Sequence, residues 1–111
     1  MSSIKGVSIT DNSRIFIDAK DEAVAQALEA IGMKAEGYAK RLCPVDTGRL
    51  RNSITHQQAG RMTEEIGTNV EYAAYVEMGT RRTKAQPYLR PAAEDHSSEY
   101  VNIAKKYLKQ A

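Results

Sequence analysis

Two long stretches of the chain repeat their apolar residues with the spacing of an α-helix. In each stretch these positions lie within about 40° of one line along the helix, and the other faces are polar. The first spans residues 19–43, with the apolar line Val24, Leu28, Ile31, Ala35, Tyr38 and Leu42. The second spans residues 88–110, with the line Leu89, Ala93, His96, Tyr100, Ile103 and Tyr107. We predict two long amphipathic helices, and we expect His96 to be a neutral histidine packed in the core.

Shorter segments alternate apolar and polar residues with the two-residue period of a β-strand. Residues 4–10 and 14–18 alternate on either side of the turn-forming sequence TDNS, which predicts a β-hairpin over 4–18. Residues 50–68 contain two further alternating runs separated by QAGR, which predicts a second hairpin. The side chains of the first hairpin that we expect to face the core are Val7, Ile9, Ile15 and Ile17.

The remaining segments predict a short helix and a polar loop. The helix spans 70–78 in NVEYAAYVEMGT and ends at Gly79, and TRRTKAQP forms a basic loop over 80–87. The elements together predict an α+β fold, in which a small antiparallel sheet of about four strands packs with a long N-terminal helix, a short middle helix and a long C-terminal helix. A chain of 111 residues builds one core, so we predict a single domain over 1–111.

The composition indicates a thin core. The strongest core formers are 8 Ile, 6 Val, 5 Leu and 1 Phe, and a thin core in a small domain is often supplemented by burial against other subunits. The net charge of +2 argues against a dedicated nucleic-acid binder with a broad basic face. Because no stretch approaches 18 apolar residues, we expect no membrane partner.

The segment CPVDTGRLRNSI, residues 43–54, contains the Asp-Thr-Gly tripeptide that carries the catalytic aspartate of aspartic proteases. In such a protease two of these loops meet between apolar strands, so that their carboxylates share a proton. Here Asp46 instead follows a long amphipathic helix and a proline, and Arg49 would drive a carboxyl pair toward ionisation. We therefore expect no protease activity.

We interpret the same segment as a structural junction between helix and sheet. Its proline ends the first helix, its aspartate and threonine can bond nearby backbone N–H groups, and its glycine lets the chain turn before the leucine enters the sheet. Arg49 and Arg51 are candidate partners of the aspartate. The residues of this junction are Pro44, Asp46, Thr47, Gly48 and Leu50.

No other arrangement typical of an enzyme or a ligand site is evident in the sequence. It contains no Ser/His/Asp set with supporting glycines, no Gly-rich phosphate loop and no histidine–carboxylate spacing typical of a metal site, and His56 and His96 are isolated along the chain. Cys43 is the only cysteine, which excludes a disulfide within the chain and a multi-cysteine zinc site. We predict no catalytic residue, no cofactor, no metal and no small-molecule substrate.

Three segments, CPVDTGRLRNSI, VEYAAYVEMGT and QPYLRPA, occur in this order with a characteristic spacing. They resemble motifs of the small tail-component or head–tail joining proteins of long-tailed double-stranded DNA phages and prophages, over roughly residues 20–110. The resemblance implies a virion structural protein without catalysis, assembled in the bacterial cytoplasm. It further implies a ring of identical subunits at the neck or the head-proximal end of the tail, in contact with head-connector or tail proteins.

Charges of opposite sign are segregated along the second half of the chain. Residues 62–80 contain only acidic charges, Glu64, Glu65, Glu71 and Glu77, and residues 81–93 contain only cations, Arg81, Arg82, Lys84 and Arg90. This pattern favours a head-to-tail interface in which the acidic patch of one subunit meets the basic loop of the next. The alternative is that these charges are solvated, with Glu71 or Glu77 pairing Arg90 within the chain.

Other functions remain open at this point. The cations of the loop, Arg81, Arg82 and Lys84, could contact the phosphates of DNA that passes through a ring, without reading its sequence. A small adaptor or regulator encoded by a prophage is a further alternative, as is a non-specific DNA-binding module.

Overall fold

The computed structural model describes residues 5–10, 14–44 and 48–109. The fold is α+β, as predicted. Within these ranges lie three strands, β1 (Lys5–Thr10), β2 (Thr55–Gly60) and β3 (Thr63–Thr68). The same ranges contain six helices, α1 (Arg14–Asp18), α2 (Asp21–Leu42), α3 (Arg49–Ser53), α4 (Ala73–Met78), α5 (Leu89–Glu94) and α6 (Ser97–Lys109). No helix in the described part of the chain is long and apolar enough to cross a membrane.

The strands form one antiparallel sheet in the order β1-β3-β2. Val7 and His56 both pair with Ile66, from opposite sides, so all three side chains point to the same face of the sheet. This inner face packs against α2, and the outer face carries Ser8, Thr10, Gln57 and Glu65. The predicted pairing of β2 with β3 is confirmed, with a bulge between Gln58 and Gly60.

The prediction of a strand over 14–18 was wrong, because Arg14–Asp18 forms α1 and β1 pairs with β3 instead. The apolar run in this segment is too short for its period to separate helix from strand. Phe16 is fully buried, whereas Ile17 is about half exposed rather than facing the core. The described sheet therefore has three strands instead of about four, and the predicted turn at 11–13 lies outside the described residues.

The prediction that residue 50 begins a strand was also wrong. Leu50 lies in α3, and β2 begins at Thr55. Leu50 and Ile54 are both buried, and a spacing of four residues keeps two side chains on one face of either a helix or a strand. The alternation therefore could not distinguish the two structures.

The long helix α2 supplies one side of the core, as its apolar pattern predicts. Val24, Leu28, Ile31 and Ala35 are all buried. Leu42, at the last turn, is instead exposed, and Cys43 is buried beyond the end of the helix. The core thus follows the predicted line for most of the helix and departs from it where the chain turns.

The C-terminal region packs across α2 through an aromatic contact. The rings of Tyr38 and His96 are stacked with their centroids 3.6 Å apart, and the Tyr38 hydroxyl donates a hydrogen bond to Glu99. His96 is half-buried in this stack. The contact joins α2 to the start of α6.

The prediction of one continuous helix over 88–110 was wrong, because α5 ends at Glu94 and α6 begins at Ser97. At the break the Asp95 N–H bonds the Pro91 carbonyl, and the Tyr100 hydroxyl donates back to the Ala92 carbonyl. The hydrogen bond from Tyr100 to Ala92 joins α6 to α5 across the bend, and the apolar faces of both helices stay in the core. A helical periodicity continues through such a bend, so it did not reveal the break.

Arg61, in the turn between β2 and β3, fixes the chain around α1 and the start of α2. Its guanidinium donates to the Phe16 carbonyl at 2.8 Å and to the Ala19 carbonyl at 2.7 Å. Its Nε lies 2.7 Å from an oxygen of Asp21. One side chain therefore satisfies one carbonyl of α1 and one carbonyl of the connection between α1 and α2.

We expect the substitution Arg61→Lys to lower the free energy of unfolding by about 1–3 kcal/mol, because a lysine ammonium cannot reproduce the planar set of three hydrogen bonds. Urea unfolding followed by circular dichroism measures the change. The matched control, Arg82→Lys on the exposed loop, should change stability by no more than about 0.5 kcal/mol. Equal stability of the two variants would contradict the role assigned to Arg61.

Candidate functional site

The basic loop over 80–87 extends from the end of α4 and displays its cations to solvent. Arg81, Arg82 and Lys84 are all exposed. Among the described residues no carboxylate forms an ion pair with any of the three. The loop therefore presents a local positive charge that the described part of its own subunit does not neutralise by direct contact.

Backbone geometry holds the start of this loop in place. Gly79 ends α4 as predicted, with φ +79°, and a Cβ there would lie 2.7 Å from the Ala85 nitrogen. The Thr80 N–H bonds the Thr83 carbonyl, and the Thr80 hydroxyl accepts the Arg82 and Thr83 N–H groups at 3.2 and 3.1 Å. The backbone of the loop is thus held by hydrogen bonds within the loop itself.

Glu77 fixes the other end of the loop. Its carboxylate accepts the backbone N–H groups of Tyr88 at 3.1 Å, Leu89 at 2.9 Å and Arg90 at 3.2 Å. These are N–H groups at the start of α5, which lack partners within the helix. Glu77, predicted as a candidate intersubunit residue, therefore serves its own subunit by capping α5.

The other residues of the predicted charged interface also make contacts within the chain. Glu71 lies 3.4 Å from Arg49 in an exposed ion pair, and Arg90 lies 3.0 Å from Glu94 one turn along α5. Glu64 is buried in the sheet. The four acidic residues of 62–80 therefore do not form one exposed acidic patch.

The exposed surface beside the basic loop is apolar. On α4 the side chains of Tyr75 and Met78 are 63% and 73% exposed. We call the surface formed by Tyr75, Met78, Arg81, Arg82 and Lys84 the loop face. Met78 also borders a cleft of about 590 Å³ between β1, α4 and the start of α5. The loop face thus combines two large apolar side chains, three cations and a neighbouring recess.

Three of the five predicted junction residues lie in the described part of the chain. Gly48 has φ +81° and starts α3, and Leu50 is buried. Pro44 follows the end of α2. Asp46 and Thr47 lie outside the described residues. Arg49, one candidate partner of Asp46, bonds Glu71 and lies over the ring of Tyr72, at 5.5 Å from its centroid.

A second polar cluster, which the sequence did not predict, lies between α2 and the sheet. The imidazole of His56 bonds Glu36 through Nδ1 at 2.7 Å and Glu29 through Nε2 at 2.9 Å. Burial alone would lower the pKa of His56, but the hydrogen bonds to Glu29 and Glu36 outweigh it and raise that pKa. His56, isolated along the chain, is thus surrounded by carboxylates in the fold.

Glu64 completes this cluster from the neighbouring strand. Its side chain is 1% exposed, and neither carboxylate oxygen has a hydrogen-bond partner among the described residues. Burial raises the pKa of Glu64 to about 7. One oxygen each from Glu29 and Glu64 and a ring nitrogen of His56 lie within 4.8 Å of one another. The sequence signal that could have identified this site is Gly32 inside a long helix, flanked by Glu29 and Glu36 on the same helix face.

A comparison with protein-family models matches residues 13–79 to the family described as "Bacteriophage HK97-gp10, putative tail-component". The match covers more than half of the chain. The protein belongs to this family. The matched range contains the first of the three motifs that carry the resemblance and all of the second except Thr80, and QPYLRPA lies beyond it. The searches of curated proteins and of solved structures found no match.

Membership of this family confirms the resemblance. It identifies the protein as a bacteriophage tail component, which is located in the virion. The finer placement at the neck and the assembly into a ring are treated below as proposals.

We expect Glu77→Ala to lower the free energy of unfolding by about 1–3 kcal/mol, because three N–H groups at the start of α5 lose their acceptor. Thermal or urea unfolding measures the loss. The control Glu94→Ala removes a carboxylate that pairs only at the exposed surface with Arg90, and should cost no more than about 0.5 kcal/mol. If Glu77→Ala were as stable as Glu94→Ala, the capping role would be wrong.

Proposed function

We propose that this tail-component protein acts in head–tail joining or tail completion, as a ring of identical subunits at the neck or the head-proximal end of the tail. We propose that its role is structural and that it catalyses no reaction. The observation that carries the proposal is the loop face, where the exposed cations of a hydrogen-bonded loop adjoin exposed apolar side chains.

The composition of the loop face supports a protein interface. Tyrosine, methionine and arginine are enriched at interfaces, where the apolar part of a side chain is buried and its polar end bonds a partner. Tyr75 and Met78 are the two most exposed large apolar residues of the described chain. Because the loop is already closed by hydrogen bonds around Thr80, binding would require little further ordering of its backbone.

A second copy of the chain is the partner we propose for this face. A head-to-tail contact that uses two different surfaces of one subunit closes into a ring when the rotation between neighbours is suitable. Residues 81–93 carry cations only, whereas the chain as a whole has a net charge of +2, so the remaining residues have a slight excess of acid. Glu64 is buried and Glu77 caps α5, so we propose that the acidic partner surface includes carboxylates outside the predicted 62–80 patch.

Contact with DNA is the second candidate function for the same cations. Arg81, Arg82 and Lys84 are exposed and without carboxylate partners among the described residues, which suits phosphate contacts that do not depend on base sequence. In a ring these side chains could line the channel through which DNA passes. The small prophage-encoded adaptor remains the alternative in which the protein stays monomeric.

We expect the triple substitution of Arg81, Arg82 and Lys84 by alanine to reduce the oligomer to smaller species and to block particle assembly. Light scattering measures the mass, and complementation of an assembly-deficient phage measures function. The matched control replaces three exposed cations elsewhere on the subunit by alanine, Lys20, Lys105 and Lys106. It should leave both the mass and particle assembly unchanged. Unchanged mass together with normal particles in the triple loop variant would contradict the interface.

DNA retention at increasing salt separates the two candidate functions. If the loop face binds DNA, affinity should fall steeply between low and physiological salt, and the triple loop variant should lose it. If the loop face binds another subunit, the triple variant should change mass without a change in DNA retention.

A further inference from the structure

The site between α2 and the sheet has the donor set of a metal centre. His56 offers an imidazole nitrogen, and Glu29 and Glu64 each offer a carboxylate oxygen, with all three atoms within 4.8 Å of one another. In a tetrahedral zinc site with ligand distances near 2.0–2.1 Å, neighbouring ligand atoms lie about 3.4 Å apart. Glu29 is largely exposed, at 63%, so its side chain can adjust to close this difference.

The carboxylate of Glu64 is the second and independent observation. It is 1% exposed, and neither of its oxygens has a hydrogen-bond partner in the described chain. Buried charged groups in proteins are paired, hydrogen-bonded or bound to a metal. A carboxylate oxygen of Glu64 lies close to the ligand atoms of His56 and Glu29. A cation at this position would bind one or both of the unsatisfied Glu64 oxygens.

The backbone of α2 leaves space for this cluster. A Cβ on Gly32 would lie 2.3 Å from Oε2 of Glu64 and 2.6 Å from Cδ2 of His56. Glycine inside a helix costs stability relative to alanine. The glycine therefore has a packing reason at this position, which is to admit the two side chains that would bind the ion.

The surroundings of His56 resemble the outer shell of known metal sites. A metal-binding histidine usually donates its second ring N–H to a carboxylate, which fixes the orientation of the ring. Here Glu36 accepts from Nδ1 at 2.7 Å, and Lys40 lies 3.0 Å from the other oxygen of Glu36. Nε2, on the side of Glu29, is then the nitrogen available to a metal once its proton has left.

We propose that Glu29, His56 and Glu64 bind a divalent transition-metal ion, for which Zn²⁺ is the best match, with Glu36 as the positioning residue of the histidine. One imidazole with two carboxylates suits Zn²⁺, whereas Mg²⁺ and Ca²⁺ prefer oxygen ligands throughout. With three protein ligands, the fourth position of a tetrahedral Zn²⁺ would hold water. Such an ion would join α2 to both strands of the β2–β3 hairpin.

The competing explanation is that Glu64 simply holds a proton, and the substitution Glu64→Gln separates the two. Glutamine has nearly the same shape and is neutral, so it imitates the protonated carboxyl but removes the metal-binding carboxylate. The matched control is Glu65→Gln, the same change at the next residue, whose side chain is on the outer face of the sheet and bonds Gln57.

The test uses the full-length protein, dialysed against a chelator and titrated with Zn²⁺ in a calorimeter, with the melting temperature followed in parallel. We expect one Zn²⁺ per chain and a melting temperature that rises with Zn²⁺ in the wild type and in Glu65→Gln. Glu64→Gln and His56→Ala should weaken binding at least tenfold, and Glu36→Gln by about 10- to 100-fold.

Two results would overturn the metal site. The first is that the wild type shows no Zn²⁺ binding and no change in melting temperature. The second is that Glu64→Gln and His56→Ala, checked by circular dichroism to be folded, bind Zn²⁺ as tightly as Glu65→Gln, which would place any bound ion elsewhere on the surface.

Discussion

The close approach of α2 to the inner face of the sheet is the contact on which the rest of the structure depends. Large core side chains are few in this chain, and alanines complete the helix face, with Ala27, Ala35 and Ala39 fully buried. Small side chains let a helix lie close to its neighbours, so that dispersion contacts compensate in part for the small apolar volume. The same proximity forces Gly32 to be without a side chain, because Glu64 and His56 occupy the space beside it.

Hydrogen bonds made by two polar side chains hold the chain between elements where few large apolar side chains are available. Arg61 binds the carbonyls of Phe16 in α1 and Ala19 after it, and Glu77 binds the first N–H groups of α5. The segment that Glu77 holds follows directly on the basic loop over 80–87. The loop face is therefore displayed by α4 and by a loop whose backbone is hydrogen-bonded, and its cations remain exposed.

The sequence predicted those elements in which the spacing of apolar residues fits only a helix or only a strand. The α+β class, the line of Val24, Leu28, Ile31 and Ala35 in α2, the β2–β3 pairing and the stop at Gly79 follow from period and turn chemistry. The short apolar run of α1 and the four-residue spacing of Leu50 and Ile54 fit a helix as well as a strand, and there the predictions failed.

The sites were predictable only in part, because they depend on tertiary contacts. Charge segregation identified the exposed cations at Arg81, Arg82 and Lys84, but it could not show that Glu77 turns back to cap α5. Likewise His56 and Glu64 lie on neighbouring strands, and their proximity to Glu29 is created by the packing of α2. The family match, in turn, gives a phage tail component, and the position within the virion stays a proposal.

The central proposal is that this tail component assembles head to tail into a ring, and negative-stain electron microscopy of the purified full-length protein tests it most directly. The account predicts closed rings of uniform diameter, formed by the protein alone or after addition of the head connector or tail proteins of its phage. Particles of monomer size at every concentration, with and without those proteins, would contradict it.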